Sequence, residues 1–272
     1  MAGTFGAMMG IGGGILIIPM LTLVLGIPIQ NAIGSSLVAI VINGLTAISI
    51  YIRNHMTNLK LGLLLSCTMV PGALAGAFMG SVLPTAALSI IFAALLIYVG
   101  YKLFPRKVRR LSEAELKAQI TVHEKEHTSH SWLNDSYYDP ALKQEISYRV
   151  YRPGMGMFTG FFGGVLSSLL GVGGGVINVP VLSLIMKVPI KATIATSAFL
   201  LCFTTMTGSF VYAFNGYVLP HIIAPLIIGI YVGAMFGASI AHRIHGILLM
   251  KIFAIILGLT AVTMILKALN IY

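Results

Sequence analysis

Apolar residues run through this chain in blocks of about twenty, the length a helix needs to cross the hydrocarbon core of a bilayer, roughly 30 Å thick. Uninterrupted blocks cover roughly 30–52, 61–83, 86–104, 190–213, 219–241 and 247–269, and each predicts a membrane-spanning helix. Two further apolar stretches, 3–25 and 154–187, are broken by a glycine cluster and then a proline. These are Gly10-Ile11-Gly12-Gly13-Gly14 before Pro19, and Gly171-Val172-Gly173-Gly174-Gly175 before Pro180. Three adjacent glycines do not belong inside a helix, so each stretch predicts two arms joined at a turn.

Polar character is concentrated in one segment, 105–152. All seven acidic residues (Glu113, Glu115, Glu124, Glu126, Asp135, Asp139 and Glu145) lie within it, and no other residue carries a carboxylate side chain. With 57% apolar residues, 9% charged and a mean hydropathy of +0.95, against about 25% charge in soluble domains, the composition excludes a soluble enzyme, a disordered tail protein and a secreted disulfide scaffold. Cys67 and Cys202 sit inside apolar runs and read as small packing residues. Ten of the seventeen Lys and Arg lie on or beside the polar segment, so the net charge of +10 is a topological signal and not a nucleic-acid footprint.

Laying residue n over residue n+161 aligns the two halves without a gap. Pro19 falls on Pro180, Ser36 on Ser197, Tyr51 on Tyr212 and Asn54 on Asn215, while Gly72, Gly76 and Ile91-Phe92-Ala93 fall on Gly233, Gly237 and Ile252-Phe253-Ala254. The chain is a duplicated unit with a polar connection. If each glycine-broken stretch crossed the membrane once, the halves would be parallel, with thirteen basic residues on one side and four on the other. If each turns back at its glycines, the halves are inverted, with sixteen on one side and only Lys267 opposite. The excess of Lys and Arg on cytoplasmic loops favours the second arrangement. At 1.5 Å per residue the arms 154–171 and 176–187 extend roughly 27 and 18 Å, enough to reach the middle of the core, whereas one continuous helix would overshoot.

The expected fold is therefore an all-α polytopic membrane protein of two inverted repeats, each a re-entrant glycine-tipped hairpin plus three transmembrane helices. Residues 1–104 form the first membrane repeat, 105–152 a cytoplasmic loop and 153–272 the second repeat. Met1 aligns on Phe162, which makes the first entering arm short, and no basic region marks a cleavable signal.

A turn at membrane depth must have its backbone groups satisfied by protein or by a water-filled cavity, so the two tips are expected to be buried against each other near the midplane. A short helix follows each tip, and its first N–H groups carry the positive end of the peptide dipoles toward the same place. Two such termini make an anion cradle from backbone alone. The absence of Asp and Glu from the membrane blocks argues against a cation site or carboxylate relay. The expected binding residues are Gly12, Gly13 and Gly14 with Gly173, Gly174 and Gly175, joined by Ser35, Ser36, Asn43, Asn178, Thr196 and Ser197. Ser36 and Ser197 are the preferred side-chain contacts, although Ser and Thr also bond their own helix backbone. Gly72, Gly76, Gly233 and Gly237 read as helix-packing positions.

His123, His127 and His130 have the spacing to share a metal on one helical face, but the charged surroundings and a Ser112–Glu115 capping box favour a solvated helix. His55, His221, His242 and His245, with Tyr51 and Tyr212, are expected at helix ends in the interface. No nucleophile–base pair, Walker loop or dinucleotide-binding context is present in the sequence, and no cofactor or metal is expected.

The doubled motif, Gly10–Gly14 with Pro19, Pro28 and Gly34-Ser35-Ser36, then Gly171–Gly175 with Pro180, Pro189 and Ala195-Thr196-Ser197, resembles the sulfite and sulfonate exporter family TauE/SafE, also called the toluene-sulfonate uptake permeases. The similarity covers both halves but not the loop. Ser35 and Ala195 depart from it, since the family more often has Thr and Gly there. The resemblance implies secondary transport of small sulfur oxyanions or organosulfonates across a bacterial inner membrane, and it is the only source for sulfur. An anion channel using the same dipoles is the alternative, and a membrane enzyme or sensor scaffold a third. The expected partners are a small anionic substrate and the lipid bilayer, with no nucleic acid, and a homodimer is left open. Deleting 112–147 is expected to spare transport.

Overall fold

A computed structural model describes residues 2–103, 132–139 and 144–240. Nine helices are seen among them: α1 (Ala2–Met9), α2 (Gly14–Pro19), α3 (Ile29–Arg53), α4 (Leu59–Val82), α5 (Thr85–Leu103), α6 (Pro153–Leu170), α7 (Gly175–Pro180), α8 (Ile190–Phe214) and α9 (Pro220–Ile240). Five of the described helices are long and apolar enough to cross a membrane: α3, α4, α6, α8 and α9. The expected helix 247–269, the loop histidines, the Ser112–Glu115 box, His242 and His245 lie outside the described residues.

Both glycine-broken stretches fold back on themselves. In the second, α6 ends at Gly171 in the left-handed conformation (φ 65°), a geometry that glycine adopts without a Cβ penalty. The chain then turns through Gly173 and Gly174 and starts α7. The return is complete: the Tyr151 N–H, just before α6, donates to the Met186 carbonyl at 3.1 Å, and the Lys187 ammonium lies 5.0 Å from the Tyr151 ring centroid. The first stretch turns in the same way, with the Ile11 and Gly12 N–H groups both donating to the Gly6 carbonyl. Pro19 and Pro180 end the regular turns of α2 and α7, because proline has no N–H for the helix ladder. Each helix then widens into a π-helical turn, Met20–Val24 and Val181–Ile185. Thr22 and Ser183, matched under the repeat, donate back to Ile18 and Val179.

Contacts repeat with the same offset as the sequence. A Cβ on Gly76 would strike the Val165 carbonyl oxygen, and one on Gly237 the Thr4 carbonyl oxygen. This seats α4 on α6 and α9 on α1, and bears out the packing role of those glycines. At the centre α3 and α8 run antiparallel: Gly34 lies against Tyr212, and Gly44 against Cys202 and the Ala198 carbonyl.

Tyr51 and Tyr212 are not interfacial, as the sequence suggested, but buried. Their hydroxyls donate to Ala7 O at 2.9 Å and Leu169 O at 3.4 Å, so each ties an entering arm to the central helix of its own half. The reason is helical spacing: Gly44, Ala47 and Tyr51 fall on one face of α3, and that face is buried.

The polar connection is not purely a solvated segment. Residues Asp135–Asp139 (β1) and Gln144–Tyr148 (β2) pair as an antiparallel hairpin. Leu133, Tyr137, Tyr148 and Val150 are buried in one cluster with Met56, Leu61, Leu65, Met186 and Val188. Asn58 anchors it: its amide donates to Leu133 O at 2.9 Å while its carbonyl oxygen accepts from Leu61 N, capping α4. The hairpin, the α3–α4 turn and the base of the second glycine-broken stretch thus meet at one end of the bundle.

Candidate functional site

The two glycine tips touch in the interior. A Cβ on Gly14 would strike Gly171 O, and a Cβ on Gly175 would strike Gly10 O. Each contact is the image of the other under the 161-residue offset. The same exchange governs two hydrogen bonds. Ser36 Oγ donates to Gly171 O at 3.1 Å, and Ser197 Oγ to Gly10 O at 2.8 Å. Both serines are fully buried. The preferred side-chain contacts therefore reach the tips and act there as latches: Ser197 gives its proton to the opposite hairpin's Gly10 O, while Ser36 shares its proton between Gly171 O and Ile33 O of its own helix, 2.9 Å away.

Ser35 and Thr196, one residue earlier, point elsewhere. Ser35 Oγ accepts from Leu219 N at 3.4 Å, and Thr196 Oγ1 from Asn58 N at 3.2 Å. They bind the turn before α9 and the turn before α4, not the glycine tips. A step of one residue rotates a helical side chain by about 100°, so adjacent hydroxyls serve different neighbours.

Gly12 and Gly13 (φ 88° and 85°) and Gly173 and Gly174 (φ 83° and 69°) form the turns. Such left-handed backbone suits only glycine without strain. Gly12 and Gly173 both face Ile40 and Leu201, which fill the space at the centre. Gly13 and Gly174 are the N-caps of α2 and α7 and bring no side-chain cap. The first turn of each helix therefore starts at its tip without a capping side chain.

Asn43, from α3, reaches the first turn: its Nδ2 donates to Gly12 O at 2.7 Å. Thr204, at the matching position in α8, instead bonds its own helix at Leu200 O and Leu201 O. Asn178 lies between Gly163 and Gly174, its Oδ1 3.3 Å from a Cβ built on the first and its Nδ2 3.5 Å from one built on the second. Sequence reasoning missed Ser167, whose Oγ is 3.1 Å from a Gly174 Cβ. The signal was available, since Ser167 is the polar residue that the repeat places on Gly6.

Four buried side-chain polar atoms lack a hydrogen-bond partner among the described residues: Asn43 Oδ1, Thr57 Oγ1, Ser167 Oγ and Asn178 Nδ2. Buried polar groups are nearly always satisfied in native proteins. That three of these four border the glycine turns marks the turns as the place where the fold tolerates unfilled hydrogen-bonding capacity.

Residues 1–264 match the family described as Sulfite exporter TauE/SafE. The "probable membrane transporter protein" YunE of Bacillus subtilis is 29% identical over 268 residues, covering 94% of this chain and 92% of the relative. Proteins of the same description from Haemophilus influenzae (27% identical, 98% of this chain, 95% of the relative) and Methanocaldococcus jannaschii (26%, 97% and 91%) are also similar. No solved structure matches the chain significantly. A doubled glycine-tipped hairpin inside an apolar bundle, matched over nearly its whole length by membrane transporters, places this chain in the sulfite exporter TauE/SafE family, as a multi-pass membrane transporter.

Proposed function

We propose that the protein is a secondary transporter of small sulfur-containing anions, sulfite or organosulfonates, working by alternating access between two inverted repeats in a bacterial inner membrane. The observation that carries this reading is the reciprocal engagement of the tips, Ser36 on Gly171 and Ser197 on Gly10, which brings the two tips, and the helix starts that follow them, to one buried place. Helix starts favour negative charge through their free N–H groups and dipoles. The antiparallel α3 and α8, exchanged by the repeat, support an axis lying in the membrane plane.

In this reading the repeats are 1–104 and 153–272, and the connection 105–152 is cytoplasmic. Arg53, Lys60, Lys187 and Lys191 then share the cytoplasmic end with the hairpin, consistent with the basic excess there. The tips are in contact, so the anion lies beside the turns, against Gly12–Gly14 and Gly173–Gly175, and transport requires one hairpin to move relative to the other.

Reconstituted into liposomes, the full chain is expected to give saturable, exchange-capable flux of labelled sulfite or a sulfonate. Gly13→Val and Gly174→Val are expected to remove it while the protein still inserts. Flux that never saturates and carries current would overturn the transporter reading in favour of a channel.

A further inference from the structure

The two halves are alike in backbone but not in the chemistry beside their turns. Gly174 is bordered by Ser167 Oγ and Asn178 Nδ2, both without partners among the described residues. Ser167 is 0% exposed and Asn178 4% exposed. The corresponding positions in the first half are Gly6 and Ile17, which offer no side-chain donor. That half has Asn43, whose Nδ2 already has an acceptor for one of its two hydrogens in Gly12 O and whose partnerless atom among the described residues is the acceptor Oδ1.

A buried hydroxyl and a buried amide N–H with nothing to donate to cost stability. Both flank one glycine, each within 3.5 Å of where its Cβ would stand, next to the start of a helix that runs, with its π-helical end, to Ile185. An acceptor carrying negative charge would satisfy both, and charge-assisted hydrogen bonds are the stronger kind. We propose that Ser167 and Asn178 are the oxyanion-binding side chains of this transporter, donating to one anion held beside Gly174, so that each chain binds a single anion off the axis relating its halves. This rests on the transport reading for the identity of the anion, and on the two orphaned donors for its place.

The test uses the purified full chain in nanodiscs with sodium sulfite, sulfate and nitrate as probes. Calorimetry measures affinity and stoichiometry, and thermal unfolding measures stability without anion. Ser167→Ala and Asn178→Leu are each expected to raise the sulfite Kd roughly tenfold or more, the effect of losing a hydrogen bond to a charged group. Without anion both variants are expected to unfold at or above the wild-type temperature, since each removes an unsatisfied donor; a merely structural role predicts the opposite. Thr205→Val, whose hydroxyl bonds Leu201 O in its own helix, is expected to leave the Kd unchanged, and the stoichiometry is expected to be one per chain.

If neither sulfite nor sulfate binds but nitrate binds in a manner dependent on Ser167, the sulfur substrate falls and the subsite stands. If sulfite is transported yet both variants bind it within twofold of wild type, or unfold at a lower temperature without anion, the subsite falls and the transport reading stands. Two equivalent sites per chain would also overturn it, and no binding of any of the three anions overturns both.

Discussion

The Ser36 hydroxyl, 2.9 Å from Ile33 O of its own helix, also reaches the carbonyl of Gly171, 135 positions away, at 3.1 Å. The bond joins the third helix of one half to the turn of the other, and the Ser197–Gly10 bond returns the relation at 2.8 Å. Interhelical hydrogen bonds in membranes average about 0.6 kcal/mol and reach about 1.7 kcal/mol. Ser36→Ala and Ser197→Ala are expected to lower stability by amounts in that range. The double variant should depart from additivity because both bonds hold the same pair of tips. Thermal unfolding of the two single variants and the double variant checks this; strict additivity would show that the two latches act independently.

The tips also separate two kinds of glycine. Gly14→Ala and Gly175→Ala place a methyl group against the opposite hairpin's backbone, where the carbonyl cannot move without displacing its whole turn. Gly26 and Gly216 have left-handed backbone (φ 65° and 74°) but nothing within 4 Å of a Cβ. For the second pair only the backbone penalty applies, about 1–2 kcal/mol. Gly26→Ala and Gly216→Ala are expected to keep transport with a modest loss of stability, while Gly14→Ala and Gly175→Ala lose transport. Parallel flux and unfolding measurements on the four variants decide it.

Asn58 links the bundle to the β-hairpin through three contacts: the α4 cap, Leu133 O, and the side chain of Tyr148. Asn58→Ser keeps an uncharged acceptor able to cap α4 but loses the donor to Leu133, whereas Asn58→Leu loses both. The leucine variant is expected to be the less stable of the two by about 1 kcal/mol, the usual worth of a cap. Equal unfolding temperatures would show that the cap contributes nothing here.

Deleting 112–147 removes β1, most of β2 and the buried Leu133 and Tyr137. Burial of a leucine side chain alone contributes about 1.5–3 kcal/mol. The deletion is therefore expected to lower stability measurably, a cost additional to the expectation from sequence that it spares transport. An unfolding curve of the deletion protein superimposable on wild type would refute the docking of this hairpin.

Burial raises the Tyr148 phenol above its ordinary value, partly offset by the Asn58 side chain. A group raised in the folded state favours folding fully below its unfolded value, about 10 for tyrosine, and loses that contribution as pH rises beyond it. The stabilising contribution of the neutral phenol should thus be constant through neutral pH and decline only above about pH 10. Comparing wild type with Tyr148→Phe in alkaline unfolding tests this: the variant's alkaline limb should be shallower.

The sequence by itself determined the repeat and its register, the glycine turns, the length of nearly every described helix, and the absence of acidic groups from the membrane blocks. These are local or periodic properties: a run of apolar residues, three glycines in a row, a proline without an N–H. It also placed Asn43, Asn178, Ser36 and Ser197 near the turns. What only tertiary structure decided is the role of each polar side chain. Ser35 and Ser36 are neighbours of similar chemistry, yet one serves the turn before α9 and the other latches a hairpin, because one residue of helical rotation faces them to different partners. Ser167 and Asn178 are distinguished by the partner each lacks, which no local pattern encodes. The burial of Tyr51 and Tyr212 and the docking of the β-hairpin have the same origin: whether a side chain is covered depends on segments far away in sequence, which meet it only after the whole bundle has assembled.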